Sequence, residues 1–436
     1  QEFVYRGTIK EQSQGRGVQF AKEFRLEVRA LVLDVTDGWA DLACCTKLQQ
    51  LPQRQPQEAS SLRLAVTTVD GLGRLRPGSE AALPPRVLDG PGAWESGFLM
   101  ELPAATLKQQ QTWTLMSATQ PPRHAVVQGP QTLGSVPCVL IQVRQQSDDW
   151  DRPRADRTAW RIEERCWISL RQGLTQRVER VIERRAPAHR DVTHRISTEY
   201  ELESQLRYDG LFLEDRRRDI QLTLQIDDQL RLLLRDPGRA GTSAFDAVVA
   251  KIDAATRQHP ATPYREAVLR LRHQAVAGSQ HRLAPPVAQD STPARTLVVV
   301  GQAAPDFVTR ELEGRQTFAL RACRGKPVLL AFFNPASLST PALLKFLQQQ
   351  QERRGDAAVL AALCLADQAD TLPALRTQMR LTVPILAGRS LRWTYGVEAT
   401  PHFVLVDAAG VVNAAHTGWG PETAGHLEKL LAPSSP

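Results

Sequence analysis

Apolar positions from Phe3 to about Glu203 recur every second residue, or run on for four to eight residues, which is the rhythm of half-buried or fully buried β-strands. The stretches FVYRGTIK, FRLEVRALVLDV, WADLACCTKL and LRLAVTTVD read as strands, followed by WTLM, HAVVQG, VPCVLIQVRQQ, TAWRIEERCWISL and QRVERVIERRA. Thr36-Asp37-Gly38 supplies a hairpin turn between the second and third, and Arg171-Gln172-Gly173 joins the last two. Between them, residues 74–97 are rich in Pro and Gly and predict an irregular loop. Long antiparallel strands joined by short turns predict a sandwich or a curved sheet, with no βαβ unit.

Beyond Asp209-Gly210 the period lengthens. Ile220, Leu222, Leu224, Leu230 and Leu233 predict a helix over 215–235, ended by Asp236-Pro237-Gly238. Thr242 or Ser243 then caps AFDAVVAKIDAATRQH, and a third helix follows His259-Pro260. Residues 284–296, APPVAQDSTPART, form a proline-containing linker. The expected organisation is therefore an antiparallel β-domain (1–208), a helical connector (209–283), the linker (284–296) and an α/β domain (297–432).

In the last of these, the apolar run Val328–Phe333 breaks into a loop and then a helix. Ser339 or Thr340 caps that helix, Pro341 takes its first position, and Leu343, Leu344 and Leu347 share one face. AAVLAALCLAD reads as the next, parallel strand and LPALRTQM as a helix, and the stretch from Val397 to Asp407 reads as a strand leading into a hairpin at Ala408-Ala409-Gly410. Together with the opening string Gly301-Gln302-Ala303-Ala304-Pro305-Asp306-Phe307 and the Gly325-Lys326-Pro327-Val328 lead-in, these motifs resemble the thioredoxin-like superfamily, in its TlpA and AhpC/TSA (redoxin) branch, over the last third of the chain. The resemblance implies a cis peptide bond at Pro401, with the backbone before it binding an extended peptide or thiol substrate. It also implies a Cys-x-x-Cys pair at the helix N-terminus, where the helix dipole favours the thiolate.

This chain departs from the pattern at its chemistry. Aligned as a TlpA-type site, Ser337 and Thr340 replace the two cysteines; aligned as a peroxiredoxin, Pro335 and Ser339 keep the first two positions and Ala342 replaces the peroxidatic cysteine. A hydroxyl forms neither a thiolate at neutral pH nor a disulfide, so no catalytic residue is assigned at Ser337, Ser339, Thr340 or Ala342. Cys364, placed mid-strand, and Cys323, ahead of the central strand, are the only thiols of this domain. A serine–histidine dyad of Ser337 with His402 lacks the G-x-S-x-G elbow.

Composition narrows the rest. A chain of 436 residues, 42% hydrophobic and 23% charged, is long enough for two or three cores. Its net charge of +7 comes mainly from arginines interspersed with carboxylates, a solvated surface and not a nucleic-acid face. No apolar run reaches membrane-span length, and the histidines show no zinc spacing, so neither an integral membrane segment, a metal nor a cofactor is expected. Cys138 and Cys166 lie on strands that could pair, with two buried free thiols preferred to a disulfide. In SDDWDRPRADRTAW, from Ser147 to Trp160, Arg152, Arg154 and Arg157 offset the aspartates, which predicts a salt-bridged hairpin loop over a calcium site. Asp148, Asp149, Trp150 and Asp151 there make a candidate partner-binding surface. The chain begins at Gln1 instead of Met, which, with the resemblance, predicts an exported, periplasmic or otherwise extracytoplasmic bacterial protein.

Three functions are compatible with these residues. The first is a redox-inactive module that binds a peptide or protein partner through a groove at Pro335, Ser337, Thr340, Thr400 and Pro401. The second is a thiol-disulfide oxidoreductase or peroxiredoxin-like enzyme using a displaced cysteine. The third is an envelope structural protein whose β-domain does the binding.

Overall fold

The computed structural model describes residues 1–15, 18–51, 60–74, 76, 99–104, 106–116, 121–154, 158–186, 189–235, 237–280, 298–312, 316–335, 337, 339–366, 372–392, 394–397, 400–419 and 423–431. The expected linker at 284–296 and most of the Pro/Gly-rich loop at 74–97 lie outside them.

The period-2 stretches form β1 (Glu2–Gly15), β2 (Val18–Thr36), β3 (Trp39–Leu51), β4 (Ser60–Asp70), β5 (Thr112–Leu115), β6 (Arg123–Leu133), β7 (Val136–Gln146), β8 (Ala159–Ser169), β9 (Thr175–Arg185) and β10 (His194–Leu206). They make one continuous antiparallel sheet in the order β4-β3-β2-β1-β10-β9-β8-β7-β6-β5. Alternation decides which core each side chain joins. On β3, Leu42 and Cys44 belong to one buried cluster, and Ala43 and Cys45 to another on the opposite face. The first of these clusters draws Leu26, Val127, Ile141, Cys166, Val178 and Tyr200 from one face of the sheet, and each is at most 1% exposed. A flat sheet with that face open to water would not bury them.

Three helices cover the other face of β1–β4: α1 (Gly210–Arg235), α2 (Pro237–Gln258) and α3 (Arg265–Ser279). The first helix ends at Arg235, as expected, but the next start is corrected, because α2 begins at Pro237 itself. Proline lacks only an N–H that a first helical turn leaves unpaired, so it starts a helix as readily as it ends one. Thr242 and Ser243 consequently sit inside the helix and do not cap it. Buried Asp219 on α1 pairs with Arg265 of α3 at 3.0 Å and accepts from Thr262 at 2.7 Å.

The C-terminal part contributes β11 (Phe307–Arg310), β12 (Thr317–Ala319), β13 (Val328–Phe333), α4 (Thr340–Arg354), β14 (Val359–Cys364), α5 (Leu372–Met379), β15 (Ile385–Ala387), β16 (His402–Val406), β17 (Val412–Thr417) and α6 (Thr423–Leu431). Its sheet has the order β15-β14-β13-β16-β17, with β13, β14 and β15 parallel and β16 and β17 antiparallel. Leu343 and Leu347 of α4 and Leu427 and Leu431 of α6 pack on Leu329, Ala331 and Phe333. The opposite face, with Leu330, Phe332, Val404 and Val406, joins the same core as β1, β4 and the three helices.

The two sheets are stitched directly. β11 adds to β10 beyond the end of β9, with Ser204 opposite Thr309 and Leu206 opposite Phe307. The Thr309 hydroxyl reaches Glu203 O at 3.2 Å and Ala387 O at 2.8 Å, and the hydroxyls of Ser204 and Ser390 lie 2.7 Å apart. Nearby, the Glu2 carboxylate accepts from Tyr208 at 2.9 Å, Tyr264 at 2.7 Å and Arg29 at 3.3 Å, all out of water.

Two cysteine and tryptophan expectations are also decided. Cys166 pairs across the ladder with Ile141, and Cys138 with Ser169, so the two thiols sit three residues out of register on opposite faces and both are free. Trp150 is 3% exposed, its ring under the guanidiniums of Arg185 at 4.0 Å and Arg161 at 4.8 Å, while Arg185 also donates to its carbonyl at 2.6 Å. Asp149 is buried with it, and of the four candidate residues Asp148 and Asp151 are exposed, which corrects the exposed-aromatic surface expected there. Arg157 of that string lies outside the described residues.

Candidate functional site

β13 is buried along its whole length and ends at Phe333; six apolar residues in a row suit a central strand covered on both faces. The chain then turns through Asn334 and Pro335 into α4, whose N-cap position is Ser339 with Pro341 in the first turn. The Ser337 N–H donates to Asn334 O at 2.9 Å, and the Thr340 N–H to Ser337 O at 3.1 Å. The second bond satisfies one N–H group that the helix start leaves orphaned, and Ser339 makes no side-chain cap.

The hydroxyls of Ser337 and Ser339 lie 2.9 Å apart, and both side chains are half-buried. Thr340 is 1% exposed and its hydroxyl donates to Asn334 O at 2.7 Å. It staples the loop from inside and does not line a groove, which corrects that part of the expectation. Ala342 is exposed on the first turn of α4.

The antiparallel register of β13 with β16 sets Phe332 opposite His402, which brings Pro401 level with Phe333 at the root of this loop. The Thr400-Pro401 peptide bond is cis. Pro335 and Thr400 are half-buried and Pro401 is buried. His402 does not pair with Ser337. Its Nδ1 lies 2.7 Å from the Thr417 hydroxyl, its ring tilts against Phe332, and burial with the nearby His416 pulls it below the ordinary imidazole range.

The thiols are placed unevenly. Cys323 sits in a 3₁₀ turn (Leu320–Cys323) before β13, at the opposite end of that strand, roughly 20 Å from the loop at 3.3 Å per residue. Cys364 is the last residue of β14, directly opposite Phe333, and not mid-strand as expected. The equal lengths of VLLAFF and VLAALC, paired in parallel, would have located it. Cys364 is 2% exposed and burial pushes its thiol up to about 11; burial also raises Cys323, and takes Cys45 to about 12. Each shift is opposite in sign to that of a reactive cysteine. Among the described residues no group of three or more His, Cys, Asp or Glu side chains could hold a metal ion, and no helix is long and apolar enough to cross a membrane.

A parallel β13–β14–β15 core, an antiparallel β16–β17 edge, a helix starting just after the central strand and a cis proline beside it form one arrangement. Residues 300–415 match the AhpC/TSA family model. The C-terminal third is a thioredoxin-like redoxin domain. Among solved structures, this chain is similar to a putative thiol:disulfide interchange protein DsbE from Chlorobium tepidum, at 23% identity over 30% of this chain and 94% of that one, with a TM-score of 0.28. It is similar also to an exposed lipoprotein thioredoxin from Streptococcus pneumoniae, at 23% identity over 29% of this chain and 97% of that one, TM-score 0.25. A secreted disulfide oxidoreductase from Mycobacterium tuberculosis shares 19% identity over 29% of this chain and 93% of its own, TM-score 0.25. No curated protein matches the chain. In the redoxin domain, hydroxyls occupy the loop where the resemblance implies a dithiol.

Proposed function

We propose that the redoxin domain holds a peptide or protein partner at the Asn334–Ser339 loop and the Thr400-Pro401 turn and does not exchange thiols. The observation that carries this reading is the hydroxyl set at the start of α4: Ser337 bonded to Ser339, and Thr340 bonded to the loop backbone. None of these groups supplies an attacking thiolate or a sulfur that accepts one. Half-buried Pro335, Ser337, Ser339 and Thr400 at one end of the sheet offer polar groups and a short apolar surface to an extended chain. An extracytoplasmic location is part of the same proposal, and protease accessibility in intact cells of the native host tests it.

One observation favours a second reading, displaced-cysteine chemistry: Cys364 lies on the strand beside the loop, opposite Phe333. Its burial and raised thiol weigh against it. A rebuilt dithiol tests the preferred reading. The Ser337→Cys/Thr340→Cys variant is expected to gain insulin reduction that the wild-type chain lacks, since only the nucleophile is missing from the scaffold. Insulin reduction by the wild-type chain, lost in Cys364→Ser, would establish the second reading instead.

A further inference from the structure

The first residue of β16 is a titratable group that the proposed groove does not use. β16 runs between β13 and β17, and its His402 faces Phe332 across one ladder and Thr417 across the other. His402 is 9% exposed. Its Nδ1 meets the hydroxyl of Thr417, an exposed residue, at 2.7 Å. Its Nε2 is buried and has no hydrogen-bond partner among the described residues. One edge of the ring is thus tethered toward the surface while the other is shut away from water, with the Phe332 ring 6.2 Å off between centroids.

A neutral imidazole tolerates this setting and an imidazolium does not. In either tautomer the neutral ring leaves one group unmet, the lone pair or the N–H at Nε2. The charged ring must donate from both nitrogens, which puts an N–H and a share of a full positive charge where nothing accepts them. Among the described residues, the groups around His402 supply no counter-charge. β13 presents Phe332, and β17 presents Thr417 and, one residue earlier, His416, a second cation when it is protonated. Tyr395, packed on Phe332 at 5.3 Å, has its hydroxyl committed to Pro305 O at 2.7 Å. Burial first, and then His416, hold His402 below the ordinary imidazole value of 6.5.

We propose that His402 is a proton-operated latch on the groove: once charged, its ring leaves the interior and loosens the ends of β16 and β17 beside the Thr400-Pro401 turn. Two neighbouring links close that corner, the Thr417 contact and the Gly418 N–H donating to Pro401 O at 2.8 Å. Pro401 stands level with Phe333, so a loosened start of β16 also frees one side of the Asn334–Ser339 loop. The latch is closed at neutral pH. It opens as pH falls through the ordinary imidazole value, because the released, solvated ring takes up the proton that the enclosed ring resists. It belongs to the fold and not to any occupant, so failure of the peptide-binding reading leaves it standing.

Hydrogen exchange of the full chain, followed by mass spectrometry at about pH 7.5 and about pH 5.5 with the intrinsic pH dependence of amide exchange divided out, tests it. Amides of β16 and β17 are expected to open several-fold more often at the lower pH, up to about tenfold, the gain in protonated fraction of a free imidazole over that span. Those of β7, β8 and β9 should keep their protection. Equal corrected rates at the two pH values, or an equal rise in β7, β8 and β9, would overturn the latch, and this comparison needs no variant. His402→Gln keeps a polar group for Thr417 but takes up no proton, so its corrected rates should not depend on pH. His416, half-buried on the other face of the sheet with its ring 5.6 Å from that of His426, is the control. His416→Gln should keep the response, and a response that survives in His402→Gln but vanishes in His416→Gln would overturn the assignment.

Discussion

Gly410 is held at φ +82°, and the Arg324 guanidinium, which donates to Ala409 O, fills the space where a β-carbon would stand. Gly38 has a similar φ of +79° with nothing near it. Gly38→Ala should therefore cost only the backbone term, about 1 kcal/mol, and Gly410→Ala about the same, because the exposed Arg324 side chain can swing out of the way, as read by urea unfolding. A second residue sets an acid dependence. Burial works to raise the Glu27 carboxyl, but Arg6, Arg29 and Arg389 outweigh it and hold it well below the usual range. A depressed folded value contributes stability above the unfolded carboxylate value of about 4.3 and loses it as pH falls toward the folded one. Stability should thus fall on acidification below about pH 5, and Glu27→Gln should flatten that limb. At this scale the identity of Ser337 and Thr340 was legible, because it is written in the chain. The inward turn of the Thr340 hydroxyl was not, since it depends on where Asn334 O ends up in the loop.

Strands and helices were read with uneven success for a physical reason. Alternation shows that a strand has two faces, and the two-sided cores of β3 follow from it directly. Partner and register are set by contacts that alternation does not encode. Nothing in FVTR or in ESQL announces that β11 will pair with β10 about a hundred residues earlier. For the same reason Cys364 looked mid-strand until its pairing with Phe333 fixed it at the strand end. The β10–β11 junction is testable through Thr309, 1% exposed, whose hydroxyl serves two carbonyls from different parts of the chain. Thr309→Val keeps the volume and loses both contacts, with an expected cost of about 1–2 kcal/mol in chemical unfolding. No change would mean that the junction is held by apolar contacts alone.

Across the whole molecule, one buried cluster runs from Val4, Leu31 and Leu64 through Ile226, Val248 and Leu271 to Leu330, Phe332 and Val404. Composition and a proline-rich boundary suggested separable domains; shared apolar faces create the opposite thermodynamics. Unfolding either part uncovers the face of the other, so tryptophan fluorescence and far-UV circular dichroism should report a single coincident transition, and two resolved transitions would contradict this. A fragment of residues 297–436 should expose the apolar face carrying Leu330, Phe332, Val404 and Val406 and associate in solution.

The redoxin assignment and the loss of its dithiol meet in one measurement. The full chain is supplied with a reductant and either insulin or hydrogen peroxide, and steady-state turnover is followed beside a Cys323→Ser/Cys364→Ser variant. Rates equal to the protein-free background, the same for both proteins, are the expected result. Turnover by the wild-type chain that disappears in the cysteine-free redoxin domain would contradict the account.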